Sequence, residues 1–148
     1  MSQDWFWEGN ILIALARYLE RQGWQITSTA EGGSADQGMG LVVRRDEREL
    51  LVEVKGFPSA PPAPGPDPRA GQPRPARMSS KARQWYAHAL LGVMLKRQAH
   101  PDAEVALALP AHRTYRSLVE QTACALRTLG VSVFLVSANG DVETPLAP

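Results

Sequence analysis

The sequence predicts an α/β (α+β) fold in which a mixed sheet is flanked by helices. Short runs of aliphatic and β-branched residues recur along the chain, and helix-length segments alternate with them. Glycine or proline separates many of these segments. The predicted order is one helix, three strands, a helix, a strand, a helix and a strand. Because the first three strands follow each other closely, we expect them to form an antiparallel meander.

The predicted elements can be placed along the chain from these patterns. Leucines recur at helical spacing after Trp5, and Gly23 is a suitable helix stop. Glu8 lies one turn before Leu12, so its carboxylate is expected on the core-facing side. It is either a first-turn acid favoured by the helix dipole or a carboxylate aimed at a site between helix and sheet. The predicted helices span residues 5–22, 79 or 80 to 97, and 114–129, and the predicted strands span residues 24–29, 41–45, 49–55, 104–109, 131–137 and, as a short last strand, 141–143.

Composition favours a soluble globular protein with one domain over residues 1–148. Of its 148 residues, 44% are hydrophobic and 21% are charged, which suffices for a packed core. The net charge of +1 means that any nucleic-acid contact has to come from local patches. The single cysteine, Cys124, excludes an internal disulfide and a cysteine-cluster metal site. We find no signal peptide and no apolar run of membrane-spanning length, so we expect a cytoplasmic protein without a membrane segment.

A proline- and arginine-rich segment at residues 57–78 interrupts the pattern of strands and helices. Eight of the twelve prolines lie here, and the segment also contains Arg69, Arg74 and Arg77. Proline lacks the donor that helices and sheets need, so we expect an extended, flexible loop. It is either a solvated linker or a flap that contacts substrate.

The second helix is predicted to have one face that is polar in its first turn and packs into the core beyond it. Lys81, Gln84, His88, Leu91 and Leu95 recur on one face, which is polar at its start and apolar beyond. Such a face is suited to a functional site at the N-terminal end of the helix. A surface amide at Gln84 and a core-adjacent histidine at His88 are the structural alternatives.

The third strand carries the strongest chemical signal. Alternation along a strand places Glu53 and Lys55 on one face, and Leu50, Val52 and Val54 on the other. A carboxylate and an ammonium side by side on an apolar strand need each other, a metal or water. The alternative is an edge strand with a surface ion pair.

The element order, with Glu53 and Lys55 closing the third strand, resembles the PD-(D/E)xK nuclease superfamily, in particular its small restriction-endonuclease-like and Holliday-junction-resolvase-like members. The resemblance implies a restriction-endonuclease-like αβββαβαβ core and hydrolysis of DNA phosphodiester bonds with Mg²⁺ or Mn²⁺. It also implies that Glu53 ligates metal and Lys55 assists the attacking water. Glu8 and Gln84 match acidic and amide positions that such families often carry in the first and second helices.

The chain departs from the family pattern at the first metal acid. Gly40 stands where the family keeps an Asp, about a dozen residues before the Glu. Asp36 is the nearest replacement, and it serves as the second metal ligand only if the intervening glycines let the chain fold back. Glu31 is a weaker candidate. The site is therefore either adapted or without catalytic activity.

DNA is the expected partner, and the local basic residues are the expected contacts. Arginine and lysine side chains neutralise phosphates, and the candidates are Arg69, Arg74, Arg77, Lys81 and Arg83. Two alternatives stay open: a catalytically silent nuclease-fold module that binds nucleic acid or a protein partner, and a structural subunit that docks through its Pro-Arg loop. Cleavage of both strands would favour a homodimer. Zinc spacing, a phosphate-binding glycine loop and a serine or cysteine nucleophile context are absent from the sequence.

Overall fold

The computed structural model describes residues 8–30, 39–58 and 75–147. These residues form an α/β structure with a six-stranded mixed sheet and three flanking helices, which confirms the predicted fold class. In chain order the elements are α1 (Glu8–Arg21), β1 (Gln25–Ala30), β2 (Met39–Arg45), β3 (Arg48–Val54), α2 (Pro75–Ala99), β4 (Glu104–Pro110), α3 (Arg113–Leu129), β5 (Val131–Val136) and β6 (Val142–Glu143).

The strands lie in the sheet in sequence order, β1-β2-β3-β4-β5-β6. The first three are antiparallel, as the short connections predict, and β3, β4 and β5 are parallel. Helices α2 and α3 make the crossovers that parallel neighbours require. Strand β3 is therefore an interior strand with β2 on one side and β4 on the other.

The two faces of the sheet carry separate hydrophobic cores. Helix α1 buries Ile11, Leu15 and Leu19 against one face, where β3 contributes Leu50, Val52 and Val54. Helices α2 and α3 cover the opposite face, where β3 contributes Leu51. The period-two alternation of β3 thus separates its aliphatic face from the face that carries Glu53.

Helix α2 begins earlier than predicted. The expected start was Ser79 or Ser80, whereas the helix begins at Pro75. A proline fits the first turn of a helix because the amide it lacks has no partner there. At the other end of the predicted loop, Phe57 and Pro58 are buried, and Phe57 belongs to the core. The bounds 57–78 were therefore too wide, and residues 59–74 lie outside the described chain.

The predicted core face of α2 is wrong. Leu91 is 57% exposed and Leu95 is 60% exposed, and Gln84 and His88 on the same face are also exposed. The helix packs instead through Ala82, Tyr86, Ala89 and Val93. Apolar residues occur on both sides of this helix, and the side with alanines packs against the sheet because small side chains allow a close approach.

Candidate functional site

Glu53 and Lys55 lie together on the face of the sheet that α2 covers. Glu53 is 9% exposed and Lys55 is fully buried. Both contact α2: Glu53 through Lys96 and Lys55 through the indole of Trp85. The prediction that the two side chains share one face is confirmed. The alternative of an exposed ion pair on an edge strand is excluded, because β3 is an interior strand and both charged groups are buried.

Lys55 extends β3 by one residue and is held on several sides. Its backbone amide donates to the carbonyl of Ala108 in β4 at 3.0 Å. Its Nζ lies 4.9 Å from the centre of the Trp85 ring, a distance at which an ammonium is attracted to an aromatic face. The next residue, Gly56, accepts a 2.6 Å hydrogen bond from the Tyr115 hydroxyl. The end of the strand is therefore fixed by β4, α2 and α3 together.

The Glu53 carboxylate lies against the last turns of α2. Lys96 Nζ donates to Glu53 Oε1 at 2.5 Å. A Cβ added at Gly92 would lie 3.0 Å from the carboxyl carbon of Glu53 and 3.2 Å from each of its oxygens. Gly92 therefore lets the helix backbone approach the carboxylate closely, and any larger residue there would have to displace it.

Gly40 is paired with Glu53 across the β2–β3 ladder. Directly opposite residues of an antiparallel pair point to the same face of the sheet. A side chain at position 40 would therefore project beside Glu53, which is the arrangement expected for a second metal acid. In this chain the position has no side chain.

The other predicted site residues fall into three groups. Gln84 is exposed on α2, as the alternative of a surface amide predicts, and its role at the site stays a prediction. Glu8 begins α1, whose core residues pack on the face of the sheet opposite Glu53, and the expectation that Glu8 takes part in the site stays a prediction. The position of the Glu8 side chain is not among those described. Asp36 and Glu31 lie outside the described residues.

The predicted nucleic-acid contacts are only partly described. Lys81 and Arg83 are exposed in the first half of α2, and Lys81 Nζ lies 5.9 Å from the Trp85 ring centre. The same indole therefore contacts both Lys81 and Lys55. Arg77 lies in the first turn of α2, with its side chain not described, and Arg69 and Arg74 lie in residues 59–74, outside the described chain.

Three residues at this site were missed by the sequence analysis: Trp85, Gly92 and Lys96. They are separated by seven and four residues, so they follow one side of α2. This spacing was a usable signal, but it was obscured by the more hydrophobic stripe through Leu91 and Leu95.

The described residues do not form a magnesium site by themselves. Magnesium prefers several oxygen ligands, usually with one or two carboxylates. In residues 8–30, 39–58 and 75–147 no group of three or more His, Cys, Asp or Glu side chains is placed to hold a metal ion. Glu53 offers one carboxylate, which is already paired with Lys96, and Lys55 adds a second positive charge nearby. A metal ion here requires a ligand from outside the described part of the chain.

A cavity of about 520 Å³ lies at the opposite end of β3, and none of the described residues that line it is a predicted site residue. Trp24 forms its wall, and the guanidinium groups of Arg45 and Arg48 lie 4.7 and 5.1 Å from the Trp24 ring centre. Arg48 also makes a two-bond ion pair with Glu104. These hydrogen bonds lower the pKa of the Glu104 carboxyl. Because both arginines already have protein partners, this cluster has an evident structural role in joining the strand ends.

Comparison with known proteins gives little further information. No family model matches the chain, and no curated protein matches it. Among solved structures, an XisH family protein from Nostoc punctiforme PCC 73102 aligns over 90% of this chain and 96% of its own length, with 15% sequence identity and a TM-score of 0.49. A likeness this weak carries no argument about activity or site. Of the helices described in the structure, none has the length and apolar character needed to cross a membrane.

Proposed function

We propose that this chain is a nuclease of the PD-(D/E)xK type that acts on DNA at the carboxyl end of β3. The observation that supports this most is the placement of Glu53 and Lys55 on one face of an interior strand, with Gly40 opposite Glu53. Burying two charged groups here is costly, and a purely structural core would not need them.

In this proposal the two lysines attract and orient the phosphodiester. Lys55 and Lys96 place two ammonium groups on the same face of the sheet as the Glu53 carboxylate. Ammonium groups that are partly shielded from water favour the negative charge that builds up on a phosphate during hydrolysis. Lys81, which contacts the Trp85 ring as Lys55 does, would extend this path along the DNA backbone.

Hydrolysis in this proposal needs Mg²⁺ or Mn²⁺ bound by Glu53 together with Asp36. The described residues supply one of these two acids. The proposal therefore depends on the Asp36 carboxylate reaching the space beside Glu53, where Gly40 has no side chain.

A second candidate is a catalytically silent nuclease-fold module that binds nucleic acid or a protein partner. Two observations favour it. Gly40, opposite Glu53, contributes no carboxylate, and Lys96 already forms an ion pair with Glu53. In such a module the lysines would bind phosphate and no bond would be broken.

Cleavage and binding of duplex DNA by matched variants distinguish the two candidates. The first predicts that the natural protein cleaves duplex DNA with Mg²⁺ or Mn²⁺ and that Glu53→Gln lowers the rate at least about a hundredfold, as expected for loss of a metal ligand. Glu120→Gln, an exposed acid on α3, should retain full activity and serves as the control.

The second candidate predicts salt-dependent DNA binding without cleavage, with affinity kept in Glu53→Gln. A protein that neither cleaves nor binds DNA at low salt would contradict the nuclease and the DNA-binding form of the second candidate, and would leave only a module that binds a protein partner. Equal cleavage by the natural protein and Glu53→Gln would contradict the assignment of the site.

A further inference from the structure

Helix α2 exposes three large apolar side chains close together. Leu91 is 57% exposed, Met94 is 48% exposed and Leu95 is 60% exposed. Residues three and four positions apart lie side by side on a helix, so the three form one patch, which we call the α2 patch. The opposite side of the helix packs into the core through Ala89 and Val93. The α2 patch is therefore not needed to hold the helix on the sheet.

Both helices on this face of the sheet are rich in positive charge. Helix α2 contains five arginine or lysine residues and no acid, and α3 contains three arginines and one acid, Glu120. Of the basic side chains that the structure describes on these helices, four are exposed: Lys81, Arg83, Arg113 and Arg127. The whole chain has a net charge of +1, so its acids are concentrated away from these helices. The α2 patch is therefore set in a basic surface.

This combination of apolar and positive character restricts what can cover the α2 patch. A second copy of this chain would bring the same basic helices together, because a twofold contact pairs a surface with itself. Like charges that face each other oppose such a contact. DNA would pair its phosphates with the basic side chains but would leave Leu91 and Leu95 without an apolar partner. A protein surface that is both acidic and apolar complements both features.

An anionic membrane is also acidic and apolar, but the α2 patch is too short for it. A helix that lies in a membrane surface buries an apolar face that continues over several turns. The α2 patch spans residues 91–95, a rise of about 6 Å along the helix. On the same side of the helix, exposed polar residues follow at both ends of the patch: Gln84, His88 and Gln98. A patch of this length matches a single contact between two helices.

We propose that the α2 patch binds an amphipathic helix of a partner protein, with apolar residues along one side and acids beside them. Such helices bind through apolar anchors spaced one turn apart, which would cover the patch. Lys81 and Arg83 lie about two to three turns before the patch, so they attract acids further along the same partner helix. This interaction goes beyond the proposed function, because Glu53 contacts another side of α2, through Lys96.

Fluorescence anisotropy with a labelled synthetic peptide tests this binding. The probe is a helix of about 20 residues with leucine along one side and glutamate on the others. We expect the natural protein to bind it at low salt. Leu91→Gln together with Leu95→Gln should lower the affinity at least about tenfold, as is usual when the apolar centre of an interface is lost. Met94→Gln should lower it in the same direction, and Ile13→Gln, which removes a 49% exposed side chain from α1, should leave it unchanged.

The contribution of charge is measured in the same assay. A peptide with lysine in place of glutamate should not bind, and added salt should weaken the binding of the acidic peptide. Lys81→Gln together with Arg83→Gln should reduce this dependence on salt. Arg17→Gln together with Arg21→Gln, at two exposed positions of α1, should not change it.

The substitutions at the α2 patch should leave the fold intact. Both leucines are exposed, and glutamine forms helices nearly as well as leucine. Circular dichroism of the variants checks this. The variant with both leucines replaced should also keep the natural affinity for DNA, because neither residue carries charge. A loss of peptide binding with unchanged DNA binding therefore separates this surface from the proposed nuclease site.

Several results would overturn the proposal. Equal binding of the acidic and the lysine peptide, or no binding of either, would show that the α2 patch does not match an acidic helix. Unchanged binding of the acidic peptide by the Leu91→Gln, Leu95→Gln variant would place that binding elsewhere. Self-association in analytical ultracentrifugation that this variant abolishes would assign the patch to a second copy of the chain. Binding to phosphatidylserine vesicles that this variant abolishes, without binding of the acidic peptide, would assign it to a membrane.

Discussion

Gly40 and Glu53 face each other across the β2–β3 ladder. Cβ atoms at directly opposite positions of an antiparallel pair are about 5 Å apart, close enough for two carboxylates to share one ion. The resemblance to the PD-(D/E)xK superfamily implied Gly40 as the position of a missing acid. The register now shows that a carboxylate at this position would project beside Glu53.

The first prediction concerns Asp36 and the empty position at Gly40. If Asp36 is the second metal ligand, Asp36→Ala should lower Mn²⁺ affinity about tenfold or more. Adding Gly40→Asp to that variant should restore binding, because the new carboxylate projects from the strand beside Glu53. Calorimetry on the natural protein, the single variants and the double variant measures this.

The single variant Gly40→Asp provides the internal control for this prediction. With Asp36 in place, a third acid crowds the site, and we expect no further gain in affinity because like charges repel. If Asp36→Ala lowers the Mn²⁺ affinity and Gly40→Asp does not restore it, a carboxylate at position 40 cannot act as the second metal ligand. Unchanged affinity in Asp36→Ala would exclude Asp36 as a ligand.

The second prediction is that Gly92→Ala moves the Glu53 carboxylate while leaving the stability of the protein nearly unchanged. Alanine favours a helix over glycine by about 1 kcal/mol. Its Cβ would lie 3.0 Å from the Glu53 carboxyl carbon, so the carboxylate has to shift. We expect a free energy of unfolding within about 1 kcal/mol of the natural value, with Mn²⁺ affinity lowered about tenfold.

Chemical denaturation and calorimetry measure these two quantities. Ala87→Gly, on the exposed side of the same helix, reports the helix propensity alone and should leave metal affinity unchanged. Unchanged Mn²⁺ affinity in Gly92→Ala would mean that metal binding does not depend on the position of the Glu53 carboxylate.

The third prediction is that binding of DNA depends on the basic residues before and within the first half of α2. Replacing Arg69, Arg74, Arg77, Lys81 and Arg83 with alanine should weaken binding and flatten its dependence on salt. Each lost phosphate contact should reduce the slope of log affinity against log salt by about one unit. Fluorescence anisotropy with labelled duplex DNA at several salt concentrations measures both effects.

The matched control for the basic residues is the double variant Arg17→Ala and Arg21→Ala. Both arginines are exposed on α1, on the other side of the sheet. This variant should retain the natural salt dependence. If it loses as much affinity as the five-residue variant, the binding surface has been placed on the wrong side of the molecule.

The fourth prediction is that protonation of His112 weakens the start of α3. Nδ1 of His112 accepts a hydrogen bond from the Thr114 backbone amide at 3.1 Å, which requires the neutral ring. Burial lowers the pKa of His112, and the charge of Arg113 lowers it further. Since the unfolded chain then takes up the proton first, stability is lost as the pH falls from the ordinary histidine pKa of 6.5 through the lower folded value.

Asparagine is a good helix cap that does not titrate, so His112→Asn should reduce this loss of stability. Urea unfolding of both proteins at several pH values measures the change, and His100→Asn, an exposed histidine, is the control. An equal fall in stability in His112→Asn would show that another group is responsible.

The strands were predicted well because the pattern of apolar and polar residues along a strand follows directly from which faces of the sheet are buried. The alternation in β3 gave the correct faces for Leu50, Val52 and Glu53, and the nearly continuous apolar run of β4 is that of an interior parallel strand. The packing of α2 was not predictable in the same way. Its apolar residues occur on two sides, and contact with the sheet selected the side with alanines.

The candidate site was predictable only where it follows strand geometry. Glu53 and Lys55 were found because two residues on one strand necessarily share a face. Lys96 and Gly92 were missed because the stripe through Leu91 and Leu95 obscured their spacing. Their contact with Glu53 also depends on how closely α2 crosses β3, which is a tertiary distance. The face of the sheet that α1 covers was not predictable for a similar reason: a helical pattern shows which side of the helix is apolar but not which face of a sheet it covers.

The most direct test of the site is the anomalous scattering of manganese in crystals soaked with Mn²⁺. The proposed function predicts an anomalous peak within bonding distance of the Glu53 carboxylate, on the α2 face of the sheet. The absence of a peak at Glu53 in crystals that contain Mn²⁺ would contradict the proposal that this carboxylate is a metal ligand.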